Sequence, residues 1–145
     1  MKRVFPIQTL NELTAVAHEL AKNLKPGLIV GLVGFLGTGK TTFVRHLLLD
    51  LGLQAEVISP TFVYEQIYKL PQAVRGIKRL HHLDLYRLTR KQDFEALGLT
   101  LENPEGATLV EWIDNLPEII EQAHYLLYFS FSRQGKRCVK IEVRK

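Results

Sequence analysis

The sequence predicts a layered α/β domain with a mixed parallel and antiparallel central sheet and a C-terminal hairpin. Three observations carry that expectation. Residues 28–33 form an unbroken apolar run, as a strand buried on both faces does. Helical and extended patterns alternate through the first part of the chain, and strands dominate after that. The last third holds two alternating stretches joined by a turn. At 145 residues the chain is long enough to bury a core as one domain spanning 1–145.

Residues 10–24 place Leu10, Leu13, Ala17, Leu20, Ala21 and Leu24 at helical spacing. Thr9 is the expected cap, with Glu12 as its capping-box partner, and Pro26-Gly27 closes the unit. The strand at 28–33 runs directly into a glycine-rich loop. Residues 41–51 then carry Phe43, Val44, Leu47, Leu48 and Leu51 on one side of a helix, with Gly52 as C-cap. Ser59-Pro60-Thr61 breaks the chain, and 62–68 reads as extended. Residues 71–76 read as a turn or loop between extended pieces, and 78–85 as a strand ending near Asp84. A short helix follows at 91–97, a buried strand at 108–110 running into Glu111-Trp112, and at most a short helix at 117–121. Tyr125, Leu127, Phe129 and Phe131 alternate with their neighbours, as do Val139, Ile141 and Val143, with the turn at 132–135.

Composition narrows the function classes. With 46% hydrophobic and 23% charged residues the chain is an ordinary globular sequence rather than a disordered or fibrous one. The single cysteine, Cys138, excludes an intramolecular disulfide framework and a cysteine-based zinc cage, and suits a reducing, cytoplasmic setting. No apolar run approaches the roughly 20 residues that span a bilayer. The charged N-terminus is followed by no long apolar stretch, so no signal peptide is read. No membrane or DNA partner is expected. A net charge of +4 mildly favours acidic partners such as nucleotides or RNA.

Gly34-Phe35-Leu36-Gly37-Thr38-Gly39-Lys40-Thr41 matches the phosphate-binding P-loop, Gly-x4-Gly-Lys-Thr, between a strand and a helix as that motif requires. Phosphate oxygens need several convergent donors. Consecutive N–H groups of a tight loop supply them, and glycines permit the close approach. The helix opening near Lys40 adds the positive end of its dipole. Lys40 is expected to reach the β and γ phosphates and the Thr41 hydroxyl to ligate Mg²⁺. ATP or ADP and Mg²⁺ are therefore the expected ligands, and the fold class becomes a P-loop NTPase-like three-layer domain.

Such a site needs an acid near the metal at the end of a neighbouring strand. Glu111 follows Thr108-Leu109-Val110 and is the choice for the metal, directly or through water. Asp84 follows the less apolar 79–83 and would orient or activate the attacking water. Thr61 lies where P-loop switch proteins carry a threonine that senses the γ-phosphate and Mg²⁺.

Four blocks together carry a resemblance. They are Gly34 to Phe43, Ser59-Pro60-Thr61-Phe62, His82-Leu83-Asp84-Leu85-Tyr86-Arg87-Leu88 and Leu109-Val110-Glu111-Trp112. In this order and at these distances they resemble the bacterial TsaE (YjeE) family across roughly residues 10 to 130. The resemblance implies a small ATPase required for the threonylcarbamoyl modification of adenosine 37 in tRNAs that read codons beginning with A. It implies action with the transferase TsaD and its paralogue TsaB, so that tRNA is met indirectly through the complex. Carried over by motif, Gly34, Leu36, Gly37, Thr38, Gly39, Lys40, Thr41 and Thr42 form the nucleotide cradle. Thr41 and Glu111 serve the metal, Thr61 lies in a switch-like segment, Asp84 is needed for hydrolysis, and Trp112 lies beside the site. This chain departs from the family at Phe35, where an acidic residue is usual. Backbone donors do most of the phosphate binding, so binding is expected to survive without that side chain.

Other features are set aside. His81 and His82 point to opposite faces of a strand, cannot easily ligate one metal together, and are read as structural or as supporting groups. Arg75, Lys78, Arg79, Arg87, Arg90 and Lys91 read as scattered surface charge. Arg133, Lys136, Arg137, Lys140, Arg144 and Lys145 make the C-terminal hairpin basic, which suits an edge protected against aggregation. Cys138 has no resolving cysteine. Three rival readings stay open. A P-loop kinase needs an acceptor pocket and a mobile lid, for which the chain is short. A GTP switch needs an Asn-Lys-x-Asp motif, which this sequence lacks. In a nucleotide-gated scaffold, hydrolysis is incidental.

Overall fold

The computed structural model describes residues 2–7, 9–58, 60–61 and 63–144, without the side chains of Ile7 and Leu10. Ser59 and Phe62 of the switch-like block, the Leu10 side chain of the first helical stripe and Lys145 of the basic hairpin lie outside the described residues.

The elements run β1 (Lys2–Ile7), α1 (Leu10–Ala21), β2 (Ile29–Val33), α2 (Lys40–Asp50), β3 (Glu65–Val74) and β4 (Ile77–Asp84). Then come α3 (Lys91–Ala96), β5 (Gly106–Glu111), a 3-10 turn (Ile113–Asn115), α4 (Pro117–Ile120), β6 (Tyr125–Phe131) and β7 (Arg137–Val143). The strands form one seven-stranded sheet in the order β1-β7-β6-β2-β5-β4-β3. Its centre, β6-β2-β5-β4, is parallel. The flanks β3, β7 and β1 pair antiparallel.

Helices cover both faces, giving the three expected layers. On one face α1 and α2 bury Leu13, Ala17, Leu20, Phe43, Val44 and Leu47 against Val30, Leu32, Leu80 and Leu109. On the other, Phe94 of α3 and Ile119 of α4 join Leu83, Leu85, Val110 and Ile113. The alternation of strand side chains decides which face each residue serves. On β4, Leu80 belongs to the α1/α2 face and Leu83 to the other. On β5, Leu109 and Val110 split the same way. Even-numbered β4 residues and odd-numbered β5 residues therefore meet under the P-loop helix, which brings His82, Asp84 and Glu111 to that side.

Local chemistry sets the helix ends. The Thr9 side chain accepts from the Glu12 N–H at 3.3 Å, as the capping reading expects. At the end of α2, Gly52 has φ +91. The Gly52 N–H donates to Leu49 O at 3.0 Å and the Leu53 N–H to Leu48 O at 2.9 Å, the paired bonds of a glycine-terminated helix.

The structure differs from the sequence reading in four places. Residues 63–64 turn, with Tyr64 at φ +67, so the extended segment read from residue 62 begins at Glu65. Residues 2–7 form a strand that no periodic pattern announces; it is the outer edge of the sheet and largely exposed. Helix α1 stops at Ala21 rather than at residue 24. Residues 71–74 continue β3, and the turn is confined to Arg75-Gly76, at φ +50 and +82. Pro71 is tolerated there because β3 is an edge strand and its ladder with β4 is interrupted between Lys69 and Val74. Among the described residues no helix is long and apolar enough to cross a membrane.

Candidate functional site at the P-loop

Strand β2 delivers the chain to the loop at the C-terminal edge of the parallel strands, where ligands of open α/β sheets bind. Gly37 and Gly39 adopt φ +77 and +106, which side-chain-bearing residues rarely do. Gly34 has φ +155, and a Cβ there would stand 2.5 Å from the Phe129 carbonyl oxygen of β6. The Thr38 hydroxyl donates to Phe35 O at 2.7 Å and pins the loop's inner arc. The Phe35 side chain is 80% exposed, so this position shapes the loop through its backbone.

A pocket of about 320 Å³ opens over the loop. Leu36, Gly37, Gly39, Lys40, Thr41 and Thr42 form its floor. Thr61 from the turn before β3, Glu111 at the end of β5 and Trp112 just after it close the pocket. Gly34 and Thr38 shape the cradle from beneath rather than lining it. Asp84 also stands behind the wall. It is buried, accepts the Thr61 hydroxyl at Oδ2 (2.9 Å) and the Tyr86 N–H at Oδ1 (2.8 Å), and so reaches the pocket through Thr61.

Lys40 is buried, donates to the Gly34 carbonyl and places Nζ 3.9 Å from the centre of the Trp112 ring. Burial lowers its pKa, and the carboxylates of Glu111, Asp84 and Asp114 partly restore it. Trp112 sits at φ +57 and packs against Tyr86 with ring centres 4.9 Å apart. Tyr64, at φ +67, offers its carbonyl to the Asp84 N–H at 2.9 Å. Left-handed backbone at non-glycine residues costs about 1–3 kcal/mol each and persists where a site's geometry demands it. Trp112 lines this pocket, and Tyr64 braces Asp84 behind it.

Thr41 Oγ1 lies 3.3 Å from Glu111 Oε2, so two hard oxygen donors converge on the pocket. Among the described residues there is no group of three or more His, Cys, Asp or Glu able to hold a metal ion. A hydroxyl and one carboxylate fit Mg²⁺, which keeps several waters and is completed by substrate phosphates instead of an all-protein cage.

Arg137 is not legible in the sequence as a site residue, and His82 is legible only as a structural or supporting group without its partner. Arg137, read only as part of a basic hairpin, lines the pocket because antiparallel pairing of β6 and β7 returns the chain to this edge. His82 places Nε2 2.5 Å from Glu111 Oε2, with both side chains almost fully buried. Strand alternation separates it from His81, but its partner depends on β4 lying beside β5.

Comparison with known proteins places this geometry in a family. The sequence model described as "Threonylcarbamoyl adenosine biosynthesis protein TsaE" matches residues 7–139. The Synechocystis protein named tRNA threonylcarbamoyladenosine biosynthesis protein TsaE is 37% identical over 122 residues, covering 81% of this chain and 74% of that one. The Rickettsia prowazekii protein of the same name is 35% identical over 118 residues, covering 79% and 78%. The crystal structure of Bacillus subtilis YdiB superposes with a TM-score of 0.71 at 25% identity, covering 99% of this chain and 86% of that one. The P-loop, the two strand-end acids and the mixed sheet thus occur within a sequence matched along nearly its whole length, and the chain belongs to the TsaE family of tRNA threonylcarbamoyladenosine biosynthesis proteins.

Proposed function

We propose that this protein binds ATP with Mg²⁺ in the P-loop pocket and hydrolyses it in support of threonylcarbamoyl transfer to adenosine 37 of tRNAs reading codons that begin with A. It does so together with a TsaD-type transferase and its TsaB paralogue, through which tRNA is met. The observation that carries this reading is the convergence of Lys40, Thr41, Thr61 and Glu111 on one pocket above the glycine loop.

The chain's own groups divide the work. Loop N–H groups and the N-terminus of α2 receive the phosphates, and Lys40 neutralises the β and γ oxygens. Thr41 and Glu111 would hold the metal, which when bound would supply positive charge against the phosphates. Thr61, fixed by Asp84, is the hydroxyl that orients water toward the terminal phosphate. Trp112 covers Lys40 and screens it from bulk water.

Reconstitution of tRNA modification with the TsaD–TsaB pair, tRNA and ATP tests the assignment. Sustained formation of the modified base is expected with this protein and not with its Lys40→Ala variant. Equal product with and without the protein would refute the role. Slow hydrolysis by the isolated protein agrees with the proposal, because a partner completes many such sites.

A further inference from the structure

We infer that His82 is a positioning residue that fixes the carboxylate of Glu111 for the metal–nucleotide complex. The inference rests on the reading of the pocket as a Mg²⁺–nucleotide site.

His82 is fully buried on β4, one strand away from Glu111 on β5. The register pairs Asp84 with Glu111, so His82 stands diagonally behind the carboxylate on the same sheet face. A carboxylate only accepts hydrogen bonds, so the 2.5 Å contact requires the proton on His82 Nε2. Nδ1 of His82 is buried and has no hydrogen-bond partner among the described residues. Leaving a buried ring nitrogen without a partner is costly. Here one ring nitrogen goes unsatisfied and the other is spent on Glu111.

The carboxylate itself needs this donor. Glu111 is buried, and burying a carboxylate without donors is strongly unfavourable. Its Oε2 receives His82 at 2.5 Å and Thr41 at 3.3 Å, while Oε1 has no hydrogen bond among the described residues. Both donors thus hold one oxygen and leave the other for an incoming ligand. Lys40, whose charge acts on Glu111, is the competitor that would draw the carboxylate away. Removing a group that orients a metal ligand from behind typically costs about 10–100-fold in metal affinity.

The test uses ADP as probe and the emission of Trp112, the single tryptophan, as readout, with Mg²⁺ and again with EDTA. The wild type is expected to bind ADP more tightly with Mg²⁺. His82→Leu should lose about 10–100-fold of that Mg²⁺-dependent gain and keep its affinity in EDTA. His82→Gln, whose amide can still donate at that reach, should recover most of it, and the shorter His82→Asn should not. A folded His82→Leu with the wild-type gain overturns the inference. If His82→Leu does not fold, the Gln and Asn variants decide, and equal Mg²⁺ gains in those two overturn it. A wild type indifferent to Mg²⁺ would instead refute the metal-site reading itself.

Discussion

Gly34→Ala probes the link between sheet geometry and phosphate binding. The new Cβ would stand 2.5 Å from Phe129 O, 3.0 Å from Phe129 Cβ and 3.0 Å from Thr38 Oγ1. The first is backbone of the adjacent strand and cannot yield without distorting β6. Forcing an extra methyl into a packed site costs about 1–3 kcal/mol. The φ of +155 adds backbone strain of about 1–3 kcal/mol. Gly37 provides the control. It lies in the same loop at φ +77, with nothing within 4 Å of the added atom. Gly37→Ala therefore carries only left-handed strain, about 1–2 kcal/mol. Urea unfolding followed by far-ultraviolet circular dichroism, without nucleotide, should show Gly34→Ala destabilised by about 2–6 kcal/mol, clearly more than Gly37→Ala. Nucleotide affinity should fall with it, because the Lys40 anchor is the Gly34 carbonyl. A Gly34→Ala protein no less stable than Gly37→Ala would refute the claim that β6 fixes the start of the loop.

Two further outcomes follow from the site and from two half-buried histidines. Thr61→Val should leave ADP affinity near that of the wild type and lower ATP turnover by about 10²-fold, since it removes a hydroxyl that lines the pocket and is fixed by Asp84; a parallel loss of binding and turnover in steady-state kinetics would place Thr61 in ground-state binding instead. His81 and His46 both have lowered pKa values, chiefly from burial, with Arg79 adding to the effect at His81 and Arg45 at His46, and Glu65 opposing it at His81. Their folded values lie below the ordinary value of about 6.5, so the unfolded chain takes up protons first and stability is lost as pH falls below that point. The urea midpoint should drop between about pH 7 and pH 5, and His81→Leu should flatten the slope; an unchanged slope would show that the burial of His81 does not set it.

The parts of the site that are local in sequence were legible there. The P-loop is one contiguous segment whose glycine spacing, strand entry and helix exit are fixed by phosphate geometry. The Thr9 cap and the Gly52 terminus are equally local. Glu111 could be nominated because it ends an apolar stretch, and Asp84 because it ends a strand predicted at 78–85. What the sequence hides is set by strand order. Whether Asp84 faces the pocket or stands behind Thr61 depends on the Tyr64 turn and the β4–β5 pairing. The His82–Glu111 contact joins residues 29 apart, and Arg137 reaches the P-loop only through the last hairpin. Strand β1 escaped notice because an exposed edge strand needs no strict alternation. Pro71 looked like a break because proline marks a turn in most contexts, although an edge strand accepts it.

If the glycine loop and Lys40 form the nucleotide site, calorimetric titration of MgATP into the wild type and Lys40→Ala will separate the two proteins. Lys40 is the buried cation on the pocket floor and is held over Trp112 by the loop's own carbonyl. Saturable one-to-one binding is expected for the wild type, weakened about tenfold or more in Lys40→Ala, because a charge-assisted contact to phosphate is lost. Indistinguishable isotherms for the two proteins would show that Lys40 takes no part in nucleotide binding.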